Sequence, residues 1–411
     1  MLMFKALKNP AIRLLWGGQA LSAIGDEIYR VAFLWLSVSV IGADTGYLAA
    51  SQYASLLLLS LFAGKWADHW NRFKTMFWVD ALRAIIVLIP VILFHFMPLS
   101  LVTLLFVAVA VSALSAFFDP ALQAILPLFS PDYQTLQAAN AIMGTTLRLA
   151  RVIGPGIIAV MTLFLPTIHF FTFDSLTFVA SALTLLALRR RAPPEATQTT
   201  KKLHVSFREA LLSGVYAARR HRSVGYITVM KAVCGGAWAL AYSLGLALRV
   251  HELAPDDVRA FGWVIAAYGI GNLGSTLVIG NWERRKPASL LYFGHLWMGL
   301  GFILMGMCQD LHSLMAATLF SAMGGPLNDI PFTDIIQAKY PLAEVPKLFR
   351  LRMASETAAV LLAMLVSPTL FRWISVQATI VGCGIVLIFF GMLGFYRYTD
   401  EGEENPLLHT L

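Results

Sequence analysis

Charge is what this chain has least of. Asp, Glu, Lys and Arg make up 13% of its 411 residues, about half the share of about 25% found in a soluble domain. With 58% hydrophobic residues and a mean hydropathy of +0.70, that deficit points to a chain embedded in a lipid bilayer. Cysteine is nearly absent as well. Cys234, Cys308 and Cys383 are odd in number and lie inside apolar runs, which excludes a disulfide framework. No zinc-ligand spacing, nucleophile elbow or phosphate-binding glycine loop appears. The expectation is therefore no enzyme, no metal and no cofactor, with an ion gradient, of protons, as the energy source. The net charge of +8 is no footprint for nucleic acid, because the basic residues gather in alternate connections between apolar runs.

Twelve such runs can be counted, at roughly 13–41, 46–67, 75–96, 101–126, 137–164, 167–188, 224–248, 260–280, 288–308, 312–337, 348–371 and 375–396. Each is near the roughly 20 residues that cross a bilayer as a helix, so the expected fold is all-α and membrane-embedded. The first run is too long for a signal-peptide core and reads as a retained span. One long polar segment, about Arg189 to Ser223, separates six runs from six. Within it Ser206 and Glu209 are spaced as a capping box, and Leu211, Leu212, Val215 and Tyr216 follow on one face. This predicts an amphipathic helix on the membrane surface. The expected organisation is thus a bundle over 1–188, a linker over 189–223, and a second bundle with a short acidic tail over 224–411.

Orientation follows from the basic residues. Twenty-two of the 31 Lys and Arg fall in connections on one side, including Arg72, Lys74, the linker and Lys339 to Arg352; Arg249, Arg259 and Arg372 alone fall on the other. By the positive-inside rule both termini and the linker are expected in the cytoplasm of an inner (cytoplasmic) membrane. The halves also echo each other at a spacing near 214 residues. Gly64-Lys65-Trp66 matches Gly280-Asn281-Trp282. Gln123-Ala124-Ile125-Leu126-Pro127 matches Gln337-Ala338-Lys339-Tyr340-Pro341, and Gly154-Pro155 matches Ser367-Pro368. Two repeated six-helix halves with a site between them is a transporter plan.

Charge inside the spans is where function is expected. A charged side chain at the bilayer centre costs about 2.5–3.5 kcal/mol on insertion scales, so it needs water, a partner or both. In the first run Gln19, Ser22, Asp26, Arg30, Phe33 and Ser37 recur at three- or four-residue intervals and form one helical stripe. Asp26 and Arg30 are expected to stack one turn apart, while Glu27 points about 100° away and reads as structural. The corresponding region of the second half, near Leu240 and Gly245, carries no charge. The scaffold is echoed and this cluster is not, which marks the stripe as a working surface. Arg148 and Arg151 sit near the middle of the fifth run, where at least one is expected to reach a cavity. Asp119 lies deep in the fourth, with Asp334 its counterpart in the tenth. Lys231, Cys234, Trp238 and Tyr242 form a stripe in the seventh that would line the opposite wall. Asp80 and Arg83 read as a structural pair, and His95 and His295 as packed or interfacial. Asp174, Asp329 and Glu356 read equally well as structural or functional.

The connection after the second run reads Gly64-Lys65-Trp66-Ala67-Asp68-His69-Trp70-Asn71-Arg72-Phe73-Lys74. Asp68 there falls at a helix carboxyl end, where an anion is unfavourable without a partner. The stretch resembles the loop signature of the major facilitator superfamily, with Asn71, which tolerates a left-handed turn, where glycine is usual. The resemblance implies a conformational latch of Gly64, Asp68, Arg72 and Lys74, with Asp68 facing the start of the span near Leu348. Ser22-Ala23-Ile24-Gly25-Asp26, Asn140-Ala141 through Arg148 to Gly154-Pro155, and Phe207 to His221 together resemble the efflux branch that includes macrolide and enterobactin exporters. Gly154 and Pro155 would shape the fifth helix for packing and bending. The paired glycines usual after them are replaced by Ile158-Ala159, and the arginine common in the fourth span of drug–proton antiporters is absent between Val107 and Phe118.

The reading is a monomeric secondary transporter exporting a small molecule, a siderophore or an amphiphilic drug, with Asp26 taking a proton on one side and releasing it on the other. Two other readings stand beside it. One is a lysophospholipid flippase, whose first helix Ser22 to Asp26 also resembles. The other is a transporter-like receptor or scaffold that moves nothing. Beyond the small-molecule substrate and the lipid bilayer, no partner and no nucleic acid is expected.

Overall fold

The computed structural model describes residues 6–67, 71–130, 132–189, 207–255, 257–280, 286–341 and 344–398. Every regular element among them is helical: α1 (Pro10–Ile41), α2 (Thr45–Ala67), α3 (Arg72–Phe94), α4 (Leu101–Ile125), α5 (Tyr133–Met161), α6 (His169–Arg189), α7 (Phe207–Arg219), α8 (Arg222–Trp238), α9 (Leu246–Leu253), α10 (Val258–Gly280), α11 (Pro287–Met307), α12 (Leu311–Ala322), α13 (Gly324–Lys339), α14 (Val345–Trp373) and α15 (Val376–Tyr398). Among the described residues they group into twelve segments of about span length. Ten stretches are long and apolar enough to cross by themselves, the first of which, Pro10–Leu59, holds α1 and the start of α2. Another, Arg222–Leu253, joins α8 to α9 through a π-helical segment, Ala239–Gly245. The twelfth span is the pair α12 and α13, each too short alone.

That pair is a single run in the sequence, broken by local chemistry. Pro326 has no N–H to offer the Ala322 carbonyl one turn back, and its ring crowds that position. Neighbouring helices supply donors to the carbonyls on either side of that position. The Ser275 hydroxyl donates to the Met323 carbonyl at 2.7 Å, and the Trp297 indole donates to the Phe320 carbonyl at 2.8 Å.

Helix starts are written in short polar residues whose side chains accept from the first-turn N–H groups. Asn9 accepts from Ala11 at 2.9 Å, Asn71 from Lys74 at 3.1 Å, Asp132 from Thr135 at 2.7 Å and Asp310 from Ser313 at 2.9 Å. Asn71 is therefore an extended N-cap, with φ −67°, and not the left-handed turn residue expected from the loop signature.

The chain divides into two compact units, 1–41 with 51–204, and 42–50 with 205–411. In the first, α1 packs on α5 and α6, and α3 on α4 and α6. Ile12, Leu15, Phe73, Met76, Phe118, Phe129 and Leu188 close one end as an apolar core. Trp78, Ile85, Leu176 and Leu183 are exposed, as befits side chains that meet lipid. In the second unit α11 packs on α13 and α15, α8 on α14, and α10 on α12. The amphipathic helix expected in the linker is α7. Its predicted capping residue Ser206 lies outside the described residues. What holds its far end is tertiary: Tyr340 donates to the Ala217 carbonyl at 2.9 Å, and Arg220 pairs with Glu344 at 2.8 Å. Residues 42–50 belong to this unit through contacts with α14, among them Arg372 to Asp44 at 2.5 Å.

Candidate functional site

The middle of α1 carries a charged group whose pairing differs from the expected one. Arg30 does not stack on Asp26. It turns three residues back to Glu27, its Nε at 2.8 Å and Nη2 at 2.5 Å from one carboxylate oxygen. From α5, Arg151 brings its Nε to 3.6 Å from the other. Glu27, read from the sequence as off the stripe, is thus the hub of two ion pairs. The reason lies in α5. Gly154 abuts α1 so closely that a Cβ there would lie 2.8 Å from the Glu27 Cβ, and Arg151, one turn earlier, is carried to the same place. Trp16 donating to Thr146 at 2.8 Å ties the same two helices further along. Pro155 is buried beside Gly154 inside α5.

Asp26, next to this hub, is exposed, and among the described residues no side chain hydrogen-bonds to it or forms an ion pair with it. The rest of the predicted stripe separates by environment. Ser22, Phe33 and Ser37 are buried. Gln19 donates to the Ser181 hydroxyl on α6 at 3.1 Å. Phe33 stacks on Tyr29 at 5.3 Å between ring centres, and both meet Phe171 edge-on. The stripe is therefore partly a packing seam against α6, and it opens only around Asp26 and Arg30.

Beneath that opening α3 and α6 bury further charge. Asp80 has no exposed surface, and Arg83 lies with its Nη1 at 3.8 Å. The Arg83 guanidinium sits over Phe118 at 5.1 Å and Phe178 at 5.4 Å. Asp174 is also fully buried, and Thr177 donates to its backbone carbonyl at 2.8 Å. Gly25 makes room for this pair: a Cβ there would fall onto the Thr177 hydroxyl and lie 2.6 Å from Asp174 Oδ1. Asp119, on α4, is exposed within electrostatic reach of Arg83. Arg148 is exposed on α5.

In the second unit Lys231 is not a residue on an open wall, as its stripe suggested; it is 6% exposed. Its ammonium donates to Asn328 at 2.6 Å and to Asp329. Arg352 reaches Asp329 at 3.3 Å and Glu356 at 2.8 Å, so two cations and two carboxylates balance. Both cations lie over the Phe332 ring. His295 is packed, 1% exposed, with Nδ1 2.9 Å from the Leu291 carbonyl. Trp238 and Tyr242 do come together. Their rings stack at 5.0 Å, Tyr242 lies 3.9 Å from Tyr268, and the Trp238 indole donates to the Tyr268 hydroxyl at 3.0 Å. The π-helical segment begins at the residue after Trp238, a geometry common at functional sites.

Of the latch residues, Asp68 lies outside the described residues. Gly64 falls in the last turn of α2 and Arg72 at the first turn of α3. Lys74 supplies the backbone N–H that Asn71 caps. Among the described residues no group of three or more His, Cys, Asp or Glu is placed to hold a metal ion.

The family model for transmembrane secretion effectors, MFS_3, matches residues 2–326 of the chain. No curated protein matches it. Solved structures do. A bacterial homologue of the human lysosomal transporter Spinster, inward-facing and unoccupied, aligns at 14% identity over 96% of this chain and 98% of its own, with a TM-score of 0.69. The peptide transporter POT, in a mutant form, aligns at 12% identity over 96% and 95%, with a TM-score of 0.75. The nucleoside transporter NupG aligns at 12% identity over 94% and 99%, with a TM-score of 0.70.

Proposed function

Because the chain belongs to the transmembrane secretion effector family and has the major facilitator fold, we propose that it exports a small organic molecule by alternating access, in exchange for protons carried on Asp26. The observation that carries this reading is the contrast between two adjacent carboxylates in mid-span. Glu27 is compensated by Arg30 and Arg151, whereas Asp26 is exposed and unpaired among the described residues. A carboxylate in an apolar span without a partner is costly when ionised, and a proton removes that cost. Glu27 already has two guanidinium partners, which leaves Asp26 as the carboxylate for a proton to compensate.

The cargo we infer is an acidic or amphiphilic compound of the siderophore or drug class. Arg151 and Arg30 keep 70% and 48% of their side-chain surface while neutralising Glu27, so an anionic group can reach them. The distribution of Lys and Arg supports an inner-membrane protein with both termini in the cytoplasm. Export then runs from the cytoplasm outward, and protons run inward.

Two experiments test this. Mass spectrometry of spent medium from a deletion strain and its parent should reveal a compound missing from the first. That compound, added to proteoliposomes of purified protein with an imposed pH gradient, should accumulate with wild type. With Asp26→Asn, gradient-driven accumulation should fall to the level of empty liposomes, while exchange of labelled for unlabelled compound persists. Gradient-driven accumulation by Asp26→Asn equal to wild type would overturn the coupling role.

A further inference from the structure

The second unit leaves polar groups open on a face that lipid does not cover. On α10 the exposed apolar residues Trp263, Ile270 and Leu277 recur every seven positions and mark the side that meets lipid. Tyr268 and Asn272 lie two positions to either side of Ile270, about 200° around the helix, so they point inward. Both are half-buried. Among the described residues the Asn272 side chain makes no hydrogen bond. The break in the tenth span lies against it, where a Cβ on Gly325 would be 2.9 Å from its Nδ2. Gly325 is one turn from Asp329 on α13. Asp329 keeps 55% of its side-chain surface, and its bonds from Lys231 and Arg352 both fall on Oδ1. Its Oδ2 has no partner among the described residues. From Lys231, two turns along the same face of α8 lead to Trp238, half-buried, whose indole donates to the Tyr268 hydroxyl at 3.0 Å. The contacts thus run from Trp238 through Tyr268, Asn272 and Gly325 to Asp329 and Lys231, and return to Trp238. An open amide and an open carboxylate oxygen in mid-span cannot face hydrocarbon; they face water inside the protein.

We propose that Trp238, Tyr268, Asn272 and Asp329 form a binding surface in the second unit for an aromatic ring that carries a neutral N–H or O–H donor. The Trp238 and Tyr268 rings supply flat apolar area for the bound ring. Asp329 Oδ2 and the Asn272 side-chain oxygen accept from its donor, and the Asn272 amide nitrogen can donate to an acceptor beside it. Charge selects a neutral donor over an ammonium group. Lys231 and Arg352 already balance Asp329 and Glu356, so an ammonium would bring into the span a charge that nothing in this group offsets. A neutral donor fills the open oxygen without that excess. The surface takes its biological meaning from the export reading above, on which it rests, and narrows the cargo to compounds with an aryl group. It does not depend on Asp26 being the coupling group.

Equilibrium dialysis of the purified full chain in detergent, blanked against empty micelles, tests this with two planar fluorescent compounds that differ only at the donor. One is 7-amino-4-methylcoumarin; the other, 7-dimethylamino-4-methylcoumarin, has no N–H. Wild type should bind the first at least about tenfold more tightly, the worth of one hydrogen bond to a charged acceptor. Asn272→Leu, of similar size, should bring that preference below about threefold, and Trp238→Leu should weaken both compounds. Asn272→Ser still hydrogen-bonds and should keep a preference for the amino compound, which separates lost recognition from lost folding. Gly274→Ala lies on the lipid side of α10, where a Cβ meets nothing within 4 Å, and should change neither affinity. No binding of either compound to wild type above the blank, equal affinity for the two, or an undiminished preference in Asn272→Leu would overturn the proposal. The assay uses no pH gradient. Its failure therefore leaves export coupled through Asp26 standing, and wild-type coupling by Asp26→Asn leaves this surface standing.

Discussion

Replacing Glu27 by glutamine separates a working residue from a structural one. The two ion pairs of Glu27 are with arginines whose side chains are 48% and 70% exposed, and Glu27 itself is 14% exposed. Pairs of this kind are worth about 0–1 kcal/mol each after screening. Glutamine has the same shape and still accepts a hydrogen bond, so the loss should be about 1 kcal/mol, a shift in melting temperature of less than about 4 °C. The electrostatic consequence is larger. With Asp26 protonated, Glu27, Arg30 and Arg151 carry one positive charge in wild type, and the substitution leaves two, which favours the ionised form of Asp26. Arg30, one turn from Asp26, then loses its carboxylate partner at position 27 and is within helical reach of Asp26. Asp26 acquires a permanent counter-ion and no longer needs a proton. Gradient-driven flux of the exported compound in proteoliposomes should therefore fall toward that of Asp26→Asn, while melting in detergent barely moves. Adding Glu27→Gln to Asp26→Asn should change flux no further, because residues acting through one another are not additive. Wild-type flux in Glu27→Gln would refute the reasoning, as would a large melting shift that tracks the lost flux.

Gly25→Ala should destabilise the protein by about 1–3 kcal/mol, since the added carbon would lie 2.6 Å from Asp174 Oδ1. Gly17→Ala on the same helix, where a Cβ meets nothing within 4 Å, should leave the melting temperature unchanged or slightly raised; equal effects of the two would argue against close packing of α1 on α6. At the α12 N-terminus, hydrogen bonds from the Ser313 side chain and backbone hold the Asp310 carboxyl below its ordinary value of 3.8. Its contribution is full above that value and disappears as pH falls through the lowered one. The melting difference between wild type and Asp310→Ala should accordingly be constant near neutral pH and shrink in strong acid. A difference that grows on acidification would contradict the cap.

The spans were legible because apolar length alone demands them, and the gap between α6 and α8 because a bilayer cannot accommodate Arg189-Arg190-Arg191. The break in the tenth span was written in Gly324-Gly325-Pro326 and could have been read from Pro326; a hydropathy count passes over it because the run stays apolar. Pairing of the charges was less accessible. Helical spacing puts Asp26 and Arg30 on one face, but it also allows Glu27 and Arg30, three apart. What decides between them is Arg151, carried in from α5 by a contact that Gly154 permits. No periodicity within α1 contains that information. The same holds for Asp174. In the sequence it is one of several intramembrane carboxylates, and nothing marks it except Gly25, 149 positions earlier, whose missing side chain lets α1 close over it. The second unit makes the converse point. Lys231 looks as exposed as Asp26 on a helical projection, yet it is enclosed by Asn328, Asp329 and Arg352 in a group whose charges cancel. Cancelled charge can be structural, and charge left uncancelled inside a membrane has to be met by something that comes and goes. On that criterion the working group of this protein is sought in its first unit, at Asp26.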